Sequence, residues 1–246
     1  MSHGYYQLST GRVAAIESDC QGDYIFPPLQ QALSEPDGLI AIGGDLSAER
    51  LLSAYKQGIF PWFSEGEPVM WWSPNPRMVL FPNELKISKS LAKTLKTNYK
   101  NNTFETRINT AFQAVINACG NTPRLDKNGV AAGTWISPEM IAAYSALHKL
   151  GFAVSSETWL DGELVGGCYG IKIGRMFYGE SMFHTKPNAS KIAFVHLVEW
   201  LKKQQVELID CQMKTPLLAS FGGREISRDA FMRQLTIYIS TKPASI

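Results

Sequence analysis

Chemistry that depends on paired cysteines, a phosphate loop or a nucleophile elbow finds no support in this sequence. Its four cysteines, Cys20, Cys119, Cys168 and Cys211, are scattered and form no CxxC pair. That argues against disulfides and structural zinc and suits a reducing compartment. Neither GxxxxGK[ST] nor GxGxxG occurs, so the usual nucleotide cradles are missing. Gly-x-Ser-x-Gly is missing too, which removes the common serine-hydrolase arrangement. His3, His148, His184 and His196 show no metal-ligand spacing. His148 and His196 fall in helical patterns, whereas His184 ends an apolar strand from which it could reach a site. No apolar run approaches 18 residues, and Met1–Asp19 contains no apolar core segment. The expectation is a cytoplasmic protein without signal peptide or membrane span. A net charge of only +2 excludes a global basic field, so any nucleic-acid surface must be a local patch.

What remains is ample for a folded core. The 246 residues suffice for one large domain or two modest ones, and 45% hydrophobic against 19% charged residues supports a sizeable core. Residues 1–25 are poorly patterned. A short apolar strand, Leu39–Ile42, lies between glycines, and Ser47 can cap a helix carrying Leu51, Leu52 and Tyr55 that stops at Gly58. An aromatic and proline-rich stretch follows, Gly58-Ile59-Phe60-Pro61-Trp62-Phe63 and then Trp71-Trp72-Ser73-Pro74-Asn75-Pro76-Arg77. Proline stiffens the backbone, so these rings are presented at fixed angles, either for packing between domains or for a ligand. A domain boundary is expected here, giving 1–75 and 76–246.

After a strand at Met78–Phe81, Lys86, Lys89, Lys93, Lys96 and Lys100 recur at spacings of three and four, with no acid between Lys86 and Phe104. At about 100° per residue they share an arc of roughly 80°, opposite Ile87, Leu91, Leu95 and Tyr99. Solvated helix faces normally mix signs, so this one-sided helix points to phosphate contacts, with a membrane-surface helix as the other possibility, less favoured because its apolar face is sized for a core. Further helices are expected from Asn109 to Gly120 and from the Ser137-Pro138 cap to Gly151. Strands at Phe152–Leu160, Glu163–Tyr169 and Ile171–Phe183 follow, the first two joined by the Asp161-Gly162 hairpin turn. A helix from Asn188 or Ser190, the strand Val206–Gln212 and a last helix begun by Ser227 complete an α+β, acyltransferase-like pattern.

Two acids stand inside apolar strands. Strand alternation puts Leu208, Asp210 and Gln212 on one face, with Ile209 and Cys211 on the other. It likewise groups Tyr178, Glu180 and Met182. A buried, unpaired carboxylate costs several kcal/mol. Each acid therefore has an Arg, Lys or amide partner, or a chemical task. A pocket of Met and aromatic walls around one carboxylate suits an α-ammonium with an apolar side chain.

Taken together, and in order, Gly38-Leu39-Ile40-Ala41-Ile42-Gly43-Gly44-Asp45-Leu46, Gly58–Phe63, Trp71-Trp72-Ser73-Pro74, Gly133-Thr134-Trp135-Ile136, Gly179-Glu180-Ser181-Met182-Phe183, Asn188-Ala189-Ser190-Lys191 and Leu208-Ile209-Asp210-Cys211-Gln212 resemble the leucyl/phenylalanyl-tRNA–protein transferases. The resemblance runs from about Pro27 to the end of the last helix. It implies a small N-terminal α/β domain plus a larger GNAT-like acyltransferase domain, in a cytoplasmic monomer. The activity implied is transfer of Leu or Phe, and less well Met, from aminoacyl-tRNA to proteins with N-terminal Arg or Lys, marking them for N-end rule degradation. The donor ester is already activated, so no cofactor is implied. The [QR]xxGx[GA] run of acetyl-CoA-dependent relatives has no match here. By position, Asp210 and Gln212 resemble the catalytic pair and Glu180 the carboxylate near the donor's α-amine. Met182, Ala189 and Phe194 resemble the side-chain pocket, and Trp62, Trp135 and Tyr144 the aromatics around the terminal adenosine and acceptor. Leu217 stands where the family often has His. A carrier-dependent small-molecule acyltransferase and a non-catalytic RNA-binding module are the alternatives.

Overall fold

A computed structural model describes residues 4–17, 24–101, 103–122, 124–125, 131–132 and 135–240. The first part of the chain builds a five-stranded sheet. Its elements are β1 Tyr5–Leu8, β2 Gly11–Ile16, β3 Leu39–Gly43, helix α1 Ala48–Lys56, β4 Phe60–Pro61 and β5 Met70–Trp72. The strand order is β1-β2-β3-β5-β4. Ser47 caps α1, its hydroxyl accepting from the Arg50 amide, and Leu51, Ala54 and Tyr55 form the buried face. Gly58 ends the helix at φ +74°, the left-handed region that glycine adopts without strain.

The second part begins with β6 Arg77–Leu80, α2 Lys89–Asn101, β7 Glu105–Ile108 and α3 Phe112–Asn121. Two short strands, β8 Arg124–Leu125 and β9 Ala131–Ala132, precede α4 Pro138–Lys149. Then come β10 Ala153–Leu160, β11 Glu163–Ile173, β12 Met176–His184, α5 Ala189–Lys203, β13 Leu208–Gln212, α6 Pro216–Ser220, β14 Arg224–Ile226 and α7 Arg228–Ser240. The seven-stranded sheet has the order β14-β6-β13-β12-β11-β10-β7. The expected α+β class therefore holds, with antiparallel neighbours everywhere except β12 and β13, which run parallel. No helix among the described residues is long and apolar enough to cross a membrane.

Helices cover both faces of this sheet. On one face α3 and α4 pack with the α1 region and α7, joining Tyr55, Phe60, Phe112, Tyr144, Tyr178 and Phe231 in one apolar cluster. On the other, α5 packs with Leu91 and Leu95 of α2 against Phe177, Ile209 and Cys211. The turn between β10 and β11 has Asp161 and Gly162 both at positive φ, as a two-residue hairpin requires.

Several expected boundaries move. β11 does not stop at Tyr169 but runs through Gly170 to Ile173, and the turn into β12 falls at Gly174-Arg175. α3 passes through Gly120 to Asn121, and Asn109 lies before it at positive φ, its side-chain oxygen accepting from the Ser155 amide. The lysine helix starts at Lys89, not Lys86. A one-turn 3-10 helix at Pro82–Glu84 precedes it, and the Ser88 hydroxyl accepts from Leu91 N. Lys86 and Ile87 thus lie outside the helix, and Ile87 is exposed instead of joining the apolar face. Cys20, Gly133 and Thr134 lie outside the described residues.

Candidate functional site: an opening between two parallel strands

β12 and β13 pair only at Met176 with Leu208, Phe177 with Ile209 and Tyr178 with Asp210. Beyond that point the ladder ends, although β12 continues to His184 and β13 to Gln212. A cavity of about 950 Å³ occupies the opening. One part is apolar, walled by Phe177, Met182, Phe194, Leu197 and Ile209. Another is aromatic, formed by Phe60, Trp62, Phe63 and Trp135, and Glu65 and Glu67 also line it.

Each of the two site strands carries a β-bulge where they separate. In β12, Tyr169 faces Ser181 and Gly170 faces Gly179, so Glu180 is the extra residue. In β13, Asp210 faces Val79 and Gln212 faces Met78, so Cys211 is the extra residue and Gln212 takes φ +56°. A bulge re-aims side chains and breaks strict alternation. The alternation rule placed Tyr178, Glu180 and Met182 together. Instead Tyr178 belongs to the cluster on the α4 face and Met182 packs against the one on the α5 face.

Glu180 sits beneath two helices. α1 brings Tyr55 and α4 brings Tyr144, the latter held by its Ser137 cap and the buried face Met140, Ala143, Tyr144 and Leu147. Tyr55 Oη lies 2.7 Å from Glu180 Oε1, Tyr144 Oη 3.1 Å from Oε2, and the two phenol oxygens are 2.5 Å apart. Burial pushes the Glu180 carboxyl up to about 7, against the opposing pull of hydrogen bonds from Tyr55 and Tyr144. Tyr55 was visible in the sequence only as a packing residue; nothing local announces its hydroxyl as a partner of residue 180.

Asp210 occupies a different setting. It is fully buried, and both its oxygens accept from Arg77: Nε to Oδ1 at 2.8 Å and Nη2 to Oδ2 at 2.7 Å. The Arg77 guanidinium lies between the rings of Phe60 and Phe231, 4.8 and 4.7 Å from their centroids. Oδ1 of Asp210 also accepts from the Gln212 amide at 3.0 Å, a contact that holds the bulge. Gln212 lines the cavity and Asp210 does not. The structure thus joins Asp210 and Gln212 through backbone, not through a shared face.

Other expected site residues divide similarly. Met182, Phe194, Trp62 and Trp135 line the cavity, and Tyr144 reaches it through Glu180. Ala189 does not; it is buried at the start of α5 against Gly166, where an added Cβ would come within 2.6 Å of it. His184 is exposed and 3.4 Å from the Ser190 hydroxyl, apart from the cavity wall. Leu217, at the position where the resemblance expects His, lines the cavity with Leu218 and Met213. Lys89, Lys93 and Lys96 are exposed on α2, and Lys86 is exposed just before it. The Lys100 side chain lies outside the described residues.

A family model for leucyl/phenylalanyl-tRNA protein transferase matches residues 79–236, and one for the N-terminal domain of the same enzymes matches residues 44–75. The chain belongs to the leucyl/phenylalanyl-tRNA–protein transferase family. Curated relatives of that name agree. The transferase from Chromobacterium violaceum is 59% identical over 211 residues, covering 86% of this chain and 87% of the relative. That from Nitrosomonas eutropha is 60% identical over 213 residues, covering 87% of each. Among solved structures, a putative lysylphosphatidylglycerol synthetase C-terminal domain from Agrobacterium fabrum aligns with TM-score 0.42 at 11% identity, covering 80% of this chain and 70% of that one. A GCN5-related N-acetyltransferase from Kribbella flavida aligns at 0.39 and 9%, covering 76% and 63%. The transferase is thus an aminoacyltransferase whose substrates, by the family name, are charged tRNA and protein.

Proposed function

We propose that the cavity between β12 and β13 takes the aminoacyl end of the tRNA, with Glu180 receiving the amino acid's α-amine. The observation that carries this reading is a half-buried carboxylate, held by two phenols, that lines the cavity beside its apolar wall. A Leu or Phe side chain, or Met less well, fills the space among Met182, Phe194, Phe177, Leu197 and Ile209. Trp62 and Trp135 offer faces to the terminal adenosine. The acceptor is a protein with N-terminal Arg or Lys, whose α-amine attacks the ester carbonyl. The new C–N bond forms as the C–O bond to the ribose breaks, and the acceptor amine's proton leaves with the tRNA hydroxyl. Because the ester is activated, positioning two bound reactants supplies much of the rate, and no cofactor takes part. Gln212 is the polar side chain of the β13 bulge that lines the cavity, and it orients the amine or stabilises the oxyanion. Asp210, its carboxylate occupied by Arg77, acts through Gln212 as a positioning residue. On this reading residues 1–75 and 76–246 form two domains of a cytoplasmic monomer serving N-end rule degradation.

The test offers labelled Phe-tRNA and peptides that differ only in the first residue. Extension of Arg- and Lys-initiated peptides and not of an Ala-initiated one is expected. Equal extension of all three would reject the acceptor assignment.

The exposed Lys89, Lys93 and Lys96 of α2 contact acceptor-stem phosphates on this reading. Their combined replacement by Glu should raise the donor KM and leave kcat nearly unchanged. The slope of log affinity against log salt should flatten by about two to three units, at roughly 0.9 per phosphate contact. An unchanged slope would return these lysines to the solvated surface.

A further inference from the structure

The cavity carries charge of one sign. Among the described residues that line it, Glu65, Glu67 and Glu180 bring carboxylates, and no lysine, arginine or histidine accompanies them. Arg77 is held by Asp210 and is not part of the lining. For a cavity that takes the end of a polyanionic RNA this is unfavourable, since like charges repel most where water is partly excluded. The arrangement makes sense when cations come with the substrates. Glu180 has one to meet, the donor's α-amine. Glu65 and Glu67 form no ion pair among the described residues, so the protein itself supplies them with none.

Both glutamates stand on the connection between β4 and β5, and that connection is built, not loose. The Trp62 amide donates to Met70 O at 2.9 Å, extending the ladder past Pro61. Trp72 Nε1 donates to Trp62 O at 2.6 Å, and Phe63 is buried in the core cluster below. A turn follows in which the Ser64 amide donates to Glu67 Oε2 at 2.8 Å and the Glu67 amide donates to Ser64 O at 3.1 Å. Gly66 lies within it at φ +83°, with open space where a Cβ would stand. The reciprocal pair fixes the Glu67 side chain through one oxygen and leaves Oε1 for a ligand. Glu65 and Glu67 are both exposed, so they edge the cavity at its mouth. The aromatic wall of Phe60, Trp62 and Trp135 limits the access of water to a cation bound there, which strengthens its attraction to the acids.

We infer that Glu65 and Glu67 are specificity-determining residues that bind the cationic side chain of the acceptor's N-terminal Arg or Lys. The inference rests on the acceptor reading given above and adds to it the groups that read the side chain. With the donor's amino acid in the apolar chamber beside Glu180, the acceptor enters by the mouth, where these two acids are the charged groups. Arg and Lys place their charge at the end of a long, flexible stem. The α-amine can therefore reach the ester while the charge stays at the loop. An apolar first residue brings no side-chain charge, an acidic one is repelled, and a histidine is shorter and mostly neutral at pH 7. At an exposed mouth, attraction to charge matters more than the planar fork that distinguishes guanidinium from ammonium, so both Arg and Lys are accepted.

The experiment compares two peptides that differ by a single charge, one beginning with Arg and the other with citrulline, its neutral isostere. The full-length enzyme extends each with labelled Phe-tRNA, and the preference is the ratio of the two kcat/KM values. Wild type should favour the Arg peptide strongly. In the double variant Glu65→Gln, Glu67→Gln that preference should fall roughly 3- to 30-fold, the range open to two exposed charge pairs, and the change should lie in the peptide KM. A variant that merely folds poorly loses rate on both peptides alike and keeps the ratio. Glu65→Gln alone leaves the Ser64–Glu67 turn intact and should show a smaller fall in the same ratio, which decides the matter if the double variant is unstable. A preference retained at the wild-type value in these variants would overturn this inference alone. Equal extension of both peptides by wild type would instead remove the acceptor reading, and this inference with it.

Discussion

Arg77→Met should destabilise the protein by about 3–5 kcal/mol, the usual consequence of leaving one member of a buried ion pair without its partner. Arg77 and Asp210 are both essentially inaccessible to water and share two hydrogen bonds. Methionine can still pack between Phe60 and Phe231, so the loss falls on the charge, not on volume. The abandoned Asp210 must then take up a proton or open a path to water. Either outcome loosens the contact from its Oδ1 to the Gln212 amide, which holds Gln212 at φ +56°. Chemical denaturation measures the stability change and single-turnover transfer the functional one. The double variant Arg77→Met, Asp210→Leu separates them. With the charge pair replaced by apolar side chains, stability should return to within about 1–2 kcal/mol of wild type. Transfer should remain low, because nothing then anchors the bulge. A double variant that recovers both stability and transfer would remove Asp210 from the mechanism.

Glu180→Gln should raise the donor KM roughly 10- to 100-fold, since a hydrogen bond to a charged group contributes about 1.5–3 kcal/mol in a water-poor site. The amide keeps the size of the side chain and a hydrogen-bonding end for Tyr55 and Tyr144, so the fold should survive. A second consequence concerns stability and pH. The Glu180 carboxyl is raised from its ordinary 4.5 to about 7 by burial. The folded state therefore retains a proton that the unfolded chain gives up. The associated stability is fully present below pH 4.5 and is lost as pH rises through 7. Its full size is on the order of 3 kcal/mol, at about 1.4 kcal/mol for each tenfold difference in proton affinity between the folded and unfolded chain. Wild type should lose that amount between about pH 4 and pH 8 relative to Glu180→Gln. Parallel stability curves for the two proteins would show that Glu180 titrates in the fold as it does in the unfolded chain.

Local signals in the sequence survive in the fold where their physics is local. Ser47 and Ser137 cap the helices they were expected to cap, and Asp161-Gly162 forms its hairpin turn, because each depends on residues within one turn of chain. The two acids in apolar strands were equally visible, as an acid in that context must have a partner or a task. Their partners were not. Arg77 is 133 residues from Asp210 and Tyr55 is 125 from Glu180, separations over which composition and periodicity carry no pairing information. The bulges at Glu180 and Cys211 were hidden for another reason. Period-two alternation assumes one residue per ladder position, and a bulge inserts a second without any obligatory residue type. The lysine pattern misled at its start, since Lys86 keeps helical spacing while the chain there is committed to a 3-10 turn and the Ser88 cap. Ala189 was placed in the pocket by resemblance, yet the close approach of Gly166 draws it into the packing beneath α5.

The most direct measurement is a structure of the enzyme with a non-transferable phenylalanyl-adenosine amide. The benzyl group should lie between Met182 and Phe194, and the α-amine within about 3 Å of a Glu180 oxygen. An amide bound with its ring outside the β12–β13 opening, or with its amine directed away from Glu180, would contradict the account.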